Sequence, residues 1–199
     1  SYMGTTENVL KKRLAYSSVS QLSYVLLGVL LMTPAGLLGA LLQMLFHAAA
    51  KIGVFLCAGS AIFLTGTETL DGFPGLGRRL PATMVCFTLL SLSLVGIPPF
   101  GGFFSKWYLI SAALADVPGA LGFVIAGVLL FSALLTAGYI FPPVVRRFFP
   151  GRAFPGAASV AEPLTMVLPL AVMAAVCLLL GLFPNGILAV LRAVAGSIL

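Results

Sequence analysis

Gln43, His47 and Lys51 follow one another at i, i+4 and i+8 within LLQMLFHAAAKIGVFL, a stretch that is otherwise apolar. On an α-helix this spacing stacks the three on one face over two turns, about 12 Å of axis. A second lysine, Lys106, comes within two turns of GIPPFGG, residues 96–102. Imidazole changes charge near neutral pH, and withdrawal from water disfavours the charged form of an amine. Held in line, such groups can take up and hand on a proton. The competing reading of the helix face is a polar seam satisfied by neighbouring helices. For Lys106 it is a simple proline kink with the lysine turned outward, Trp107 and Tyr108 marking an interfacial belt.

The elements that must position these residues are membrane helices. Of the 199 residues 60% are hydrophobic and 8% charged, with a mean hydropathy of +1.14. A soluble domain of this size cannot hide that much apolar surface. Long apolar runs match a bilayer core of ~30 Å, which takes ~20 helical residues. Five spans are expected, at about 14–32, 35–64, 82–115, 120–145 and 164–182, forming one all-α integral membrane domain over 1–199. The third span is expected to break in mid-membrane. Proline removes backbone donors and glycine holds a helix poorly, so Gly96, Pro98, Pro99, Gly101 and Gly102 interrupt it. Irregular backbone survives in a bilayer where it is buried in protein or lines a cavity, and transporters use it to place ions near the midplane. The tail after residue 185 has an amphipathic pattern suited to the interface.

Lysine at the bilayer centre costs at least ~2.5–3.5 kcal/mol. All five acidic residues (Glu7, Glu68, Asp71, Asp116 and Glu162) lie outside the expected spans, so neither lysine has a carboxylate partner within this chain. The first helix carries Ser17, Ser18, Ser20, Gln21, Ser23 and Tyr24. These serve either as hydrogen-bonded relays or water sites, or as bonds between helices. Ser20, Tyr24, Gln43 and Ser105 are the candidate relay positions.

Charge sets the topology. Eight of the eleven basic residues (Lys11, Lys12, Arg13, Arg78, Arg79, Arg146, Arg147 and Arg152) fall on one side of the five crossings, and Arg192 alone on the other. The positive-inside rule makes the eight-residue side cytoplasmic, with the chain starting inside and ending in the periplasm of a bacterial inner membrane. The net charge of +6 then reflects orientation, and no nucleic-acid partner is expected.

Cys57, Cys86 and Cys177 sit in apolar runs without CxxC spacing beside a single histidine, which argues against disulfides and metal sites. The glycines of GTTENVL and GLGRRLP follow no strand and make no phosphate loop. No catalytic residue and no cofactor is assigned. The opening SYMGTTENVLKKRL has no signal-peptide core and no initiator Met, so the sequence is expected to start within a longer chain.

LKKRLAYSSVSQLSY (10–24), HAAAK with FLCAGSAI behind it (47–62), GLGRRLPAT (75–83) and LVGIPPFGGFFSKWYLI (94–110) occur in this order. Together they resemble the antiporter-like, proton-translocating membrane subunits of respiratory complex I, a family shared with Mrp-type cation/proton antiporters and membrane-bound hydrogenases. The resemblance is specific over about 10–114 and weaker to the end. It implies two inverted five-helix repeats, each with a broken helix, of which this chain looks like the C-terminal one. It also implies that Lys51, His47 and Lys106 stand on the central proton path. Gln43 occupies a place that is histidine in some members, so a relay through it would need water.

The expected function is proton translocation within a complex I-like membrane arm, driven by redox chemistry in other subunits. The alternative within the family is a subunit of an Mrp-type sodium/proton antiporter. The alternative of another class is a structural membrane subunit. Expected partners are other membrane subunits, including a missing N-terminal half, with protons as the transported ion and sodium left open. Whether the chain belongs to a proton-translocating NADH-quinone oxidoreductase is likewise left open.

Overall fold

The computed structural model describes residues 2–69, 76–148 and 161–199, with side chains of 142–148 excepted. Asp71 and Arg152, the side chains of Arg146 and Arg147, and parts of the two basic loops lie outside the described residues. About 86% of the described residues are helical, and they hold no strand beyond an isolated bridge between Val9 and Thr69. The order is α1 (Tyr2–Thr6), α2 (Leu10–Leu30), α3 (Pro34–Thr65), α4 (Leu76–Arg79), α5 (Pro81–Val95), α6 (Gly101–Asp116), α7 (Ala120–Phe148), α8 (Leu164–Leu182) and α9 (Asn185–Ile198).

Three of these, α3, α7 and α8, are each long and apolar enough to cross a membrane. The other two expected crossings differ for identifiable reasons. With 21 residues α2 has the length, but it opens with Lys11, Lys12 and Arg13 and carries hydroxyls along one side. The remaining crossing is divided between α5 and α6, of 15 and 16 residues, each about 22–24 Å long and so shorter than the ~30 Å hydrocarbon core.

Helix α2 is inverted relative to a soluble helix. Its buried face is Leu10, Leu14, Ser17, Ser20, Gln21, Tyr24 and Gly28, following the helical period. Its exposed face is Val19, Leu22, Leu26 and Leu30. Lipid solvates the leucines, while the polar groups can be satisfied only by other helices.

Helix α3 is the central post, with α2, α5, α6, α8 and α9 packed around it. Thr33 caps its start, its hydroxyl accepting from Gly36 N at 3.1 Å, and Pro34 needs no partner in the first turn. Gly66 ends it in the left-handed region at φ 73°. Its 32 residues extend about 48 Å, more than the hydrocarbon needs, so it tilts or projects.

Between α5 and α6 the chain leaves helical geometry. Gly96 turns at φ 91°, and the Pro98–Pro99 peptide is cis. Small residues seat this break: a Cβ on Gly102 would strike the Ser93 carbonyl, and one on Gly181 of α8 would strike the Pro99 carbonyl.

The basic ends meet on one side of the bundle. Arg13 donates through Nε to Glu7 O (2.8 Å), through Nη2 to Thr5 O (3.2 Å) and through Nη1 to Tyr139 O (2.9 Å). Tyr139 is four residues before Pro143, which has no N–H to offer that carbonyl, so Arg13 satisfies it instead. Glu162 closes the same end by accepting from Ala82 N (2.9 Å), Thr83 N (2.8 Å) and Thr83 Oγ1 (2.5 Å). It thus supplies the cap that Leu80, at the N-cap of α5, cannot provide. At the other end, α9 buries Leu188 and Ala195 against Leu38, Leu42 and Phe46 of α3. The expected interfacial tail is therefore packed on the bundle, with Val190 and Ile198 facing outward.

Candidate functional site

Lys51 is 6% and Lys106 8% exposed, so both ammonium groups are enclosed by the protein. Lys51 reaches across to α2, donating from Nζ to Leu14 O at 2.5 Å and to Ser17 Oγ at 2.8 Å. Lys106 reaches back over the break, donating to Leu94 O at 3.0 Å. That carbonyl is in the last turn of α5, where backbone acceptors lack helical partners and the helix dipole is negative. The Phe55 ring centre lies 5.5 Å from Lys51 Nζ, and the Tyr24 ring centre 5.6 Å from Lys106 Nζ. Among the described residues neither lysine meets a carboxylate. Carbonyl oxygens, a hydroxyl and aromatic faces hold them instead, so no fixed negative charge locks in the protonated form.

A line of uncharged polar groups lies between them. Gln43 Nε2 donates to Gln21 Oε1 at 2.7 Å, and Ser105 Oγ donates to Gln43 Oε1 at 2.6 Å. Helices α2, α3 and α6 are thereby joined at one buried level. His47, one turn from both Gln43 and Lys51, is half-buried and within electrostatic reach of both lysines. A cavity of about 10 Å³ is lined by Gln21, Gln43, His47, Ser93, Gly102 and Lys106. Two of its lining groups, Gln21 Nε2 and His47 Nδ1, are buried without a hydrogen-bond partner. That space is at the lower limit for one water, which is the usual partner of such groups.

The structure therefore brings His47, Lys51, Lys106, Gln43 and Ser105 to one seam. It ties the other two relay candidates to α7: Ser20 Oγ lies 3.4 Å from Ser132 Oγ, and Tyr24 OH donates to Leu129 O at 3.2 Å. Tyr24 still faces the seam through its ring. Ser17 and Gln21 matter more than the spacing of α3 alone indicates; the signal was their i, i+4 placement on the one helix whose polar side must turn inward. The Leu94 carbonyl leaves no trace in side-chain chemistry and follows only from the helix break.

A family model for the transmembrane region of NADH:quinone oxidoreductases and Mrp antiporters matches residues 1–136. The chain belongs to that family. The NADH:quinone oxidoreductase/Mrp match ends within α7, and both sequence identity to relatives and likeness of fold carry the resemblance beyond it. NADH-quinone oxidoreductase subunit N of Desulforudis audaxviator is 36% identical over 94% of this chain and 39% of its own length. Subunit L of Mycobacterium tuberculosis is 35% identical over 94% of this chain and 29% of its own. In solved structures, a chain of the Mrp complex from Dietzia superposes with a TM-score of 0.86 at 25% identity, covering 98% of this chain and 43% of that one. One from respiratory complex I of Thermus thermophilus gives 0.81 at 26% identity, covering 98% and 40%. The chain thus spans less than half the length of these relatives. The fold is that of the antiporter-like membrane subunits, and the protein is membrane-integral.

Proposed function

We propose that this chain is half of a proton-translocating module in the membrane arm of a complex I-like assembly. The observation that carries the reading is the pair of enclosed lysines held by carbonyls and a hydroxyl, with His47 and a water-sized cavity between them. A proton on Lys51 passes to His47 and then, through water in the Gln21–Gln43–Ser93 cavity, to Lys106. Gln43 is a positioning residue here, because an amide holds Ser105 and Gln21 in place without exchanging a proton itself. Redox energy comes from other subunits, and the partners are further membrane subunits, among them the other half of the fold. The end bearing Lys11, Lys12, Arg13, Arg78 and Arg79 faces the cytoplasm of a bacterial inner membrane. Fold similarity to an Mrp complex supports a second reading, exchange of sodium for protons without redox chemistry.

Proton pumping in membrane vesicles, with assembly followed on native gels, tests the first reading. Lys51→Ala or Lys106→Ala should stop pumping while the complex assembles. Lys51→Arg should stop it too, since guanidinium stays protonated at any accessible pH. Wild-type pumping by Lys51→Arg would make Lys51 a fixed charge and end the relay. Sodium-dependent proton movement in vesicles lacking a redox donor would favour the second reading.

A further inference from the structure

A second, larger cavity, about 350 Å³, lies on the other side of Lys106. Its walls are Tyr24, Val95, Phe103, Trp107, Leu130 and Ala133, with the Gly96 backbone at the break and Lys106 as its one charged lining residue. Trp107 and Leu130 are 58% and 54% exposed, so the cavity opens sideways through the outer surface of α6 and α7. Phe103 and Trp107 stack at this mouth, centroids 6.0 Å apart. In a membrane that surface meets acyl chains. The volume falls at the lower end of the ~300–1,000 Å³ range of small-molecule sites.

Lys106 gives this cavity a chemical direction. An ammonium has three donors, and among the described residues Leu94 O is its one hydrogen-bond acceptor. An apolar slot open to lipid with a buried cation at its inner end has the charge pattern of a single-chain anionic amphiphile turned head-inward. We propose that the cavity binds the alkyl chain of a long-chain carboxylate, with the carboxylate paired to Lys106. The tail gains little on leaving the bilayer, because lipid is as apolar as the cavity wall. Selectivity therefore rests on the headgroup, where a charge-assisted bond meets a cation that contacts no carboxylate among the described residues. Occupancy would hold the proton on Lys106 and slow its transfer, a consequence that rests on the proton-translocation reading, whereas binding itself does not.

Photolabelling of the assembled complex in its membrane tests this. The probe is palmitate bearing a diazirine near its methyl end. Crosslinks should fall on α6 and α7 around Trp107 and Leu130. Excess palmitate should reduce them at least about tenfold more than equal hexadecanol does, the effect of ~1.4 kcal/mol of headgroup pairing. Ala133→Phe, which fills the slot, should bring labelling to background. Equal competition by acid and alcohol would mean that any acyl chain enters and would overturn the carboxylate assignment. Labelling spread evenly over the exposed leucines of α8 would reduce the finding to partition into the bilayer. The competition in wild-type membranes decides the matter even if the Ala133→Phe complex fails to assemble, and since labelling needs no pumping, its failure is separate from failure of the relay.

Discussion

At the scale of residues, the seam depends on neutral groups as much as on the lysines. Gln43 bridges α2 and α6 through its two amide atoms. Gln43→Leu would leave Gln21 Oε1 and the Ser105 hydroxyl buried with fewer partners, at about 1–3 kcal/mol. The expected outcome is a lower melting temperature of the solubilised complex, with Gln43→His, which keeps polar atoms at the level of Ser105, closer to wild type. An unchanged melting curve for Gln43→Leu would show that water replaces the amide without cost. Lys106→Glu should retain part of the pumping rate, because a protonated carboxyl can still donate to Leu94 O and can exchange its proton. Complete loss in an assembled complex would mean that the α5 terminus tolerates only a cation.

At the scale of elements, the break between α5 and α6 creates the acceptor that Lys106 uses. Replacing Pro98 and Pro99 with alanine should favour a continuous helix, remove Leu94 O from reach and turn Lys106 about the axis. Pumping should fall while native gels still show the complex; wild-type pumping would reduce the break to a packing feature. Gly102→Val tests the same joint sterically, since even a Cβ collides with the Ser93 carbonyl. The expected outcome is loss of assembly, and a normally assembled variant would show that the joint can widen. Glu162 acts at the far end of α5, where Glu162→Ala removes a cap supplied from 80 residues away. A loss of about 0.5–2 kcal/mol is expected from melting curves, with pumping per assembled complex unchanged.

At the scale of the whole molecule, Arg13 at the basic start of α2 bonds to Tyr139 of α7, on which α4 with Arg78 and Arg79 also packs, while Arg192 stands at the other end, donating to Tyr108 OH at 2.5 Å. With this end cytoplasmic, Gly77→Cys should resist a membrane-impermeant thiol reagent applied to the periplasmic face of spheroplasts, and Gly186→Cys should react. No atom lies within 4 Å of a Cβ at Gly186, so that substitution is sterically free. The reverse pattern would invert the orientation.

Much of this organisation follows from the order of residue types, because solvent sorting in a bilayer is strict. Apolar runs, the HAAAK spacing and the GIPPFGG interruption each act locally, so the long helices, the break and the two lysines set within apolar segments were legible one segment at a time. What needed the folded chain is whatever depends on which atoms meet across helices. Lys51 could have turned to any neighbour, and its pairing with Leu14 O and Ser17 exists only because α2 presents its polar side to α3. The assignment of Ser20 and Tyr24 to α7, the cap from Glu162 and the packing of α9 against α3 are likewise decided by contacts far apart in sequence. So is the lateral cavity, since no run of residues encodes a space bounded by α2, α6 and α7. Hydropathy reports where each segment prefers to be, whereas hydrogen-bond partners and voids are fixed by geometry between segments, and only the tertiary structure supplies that.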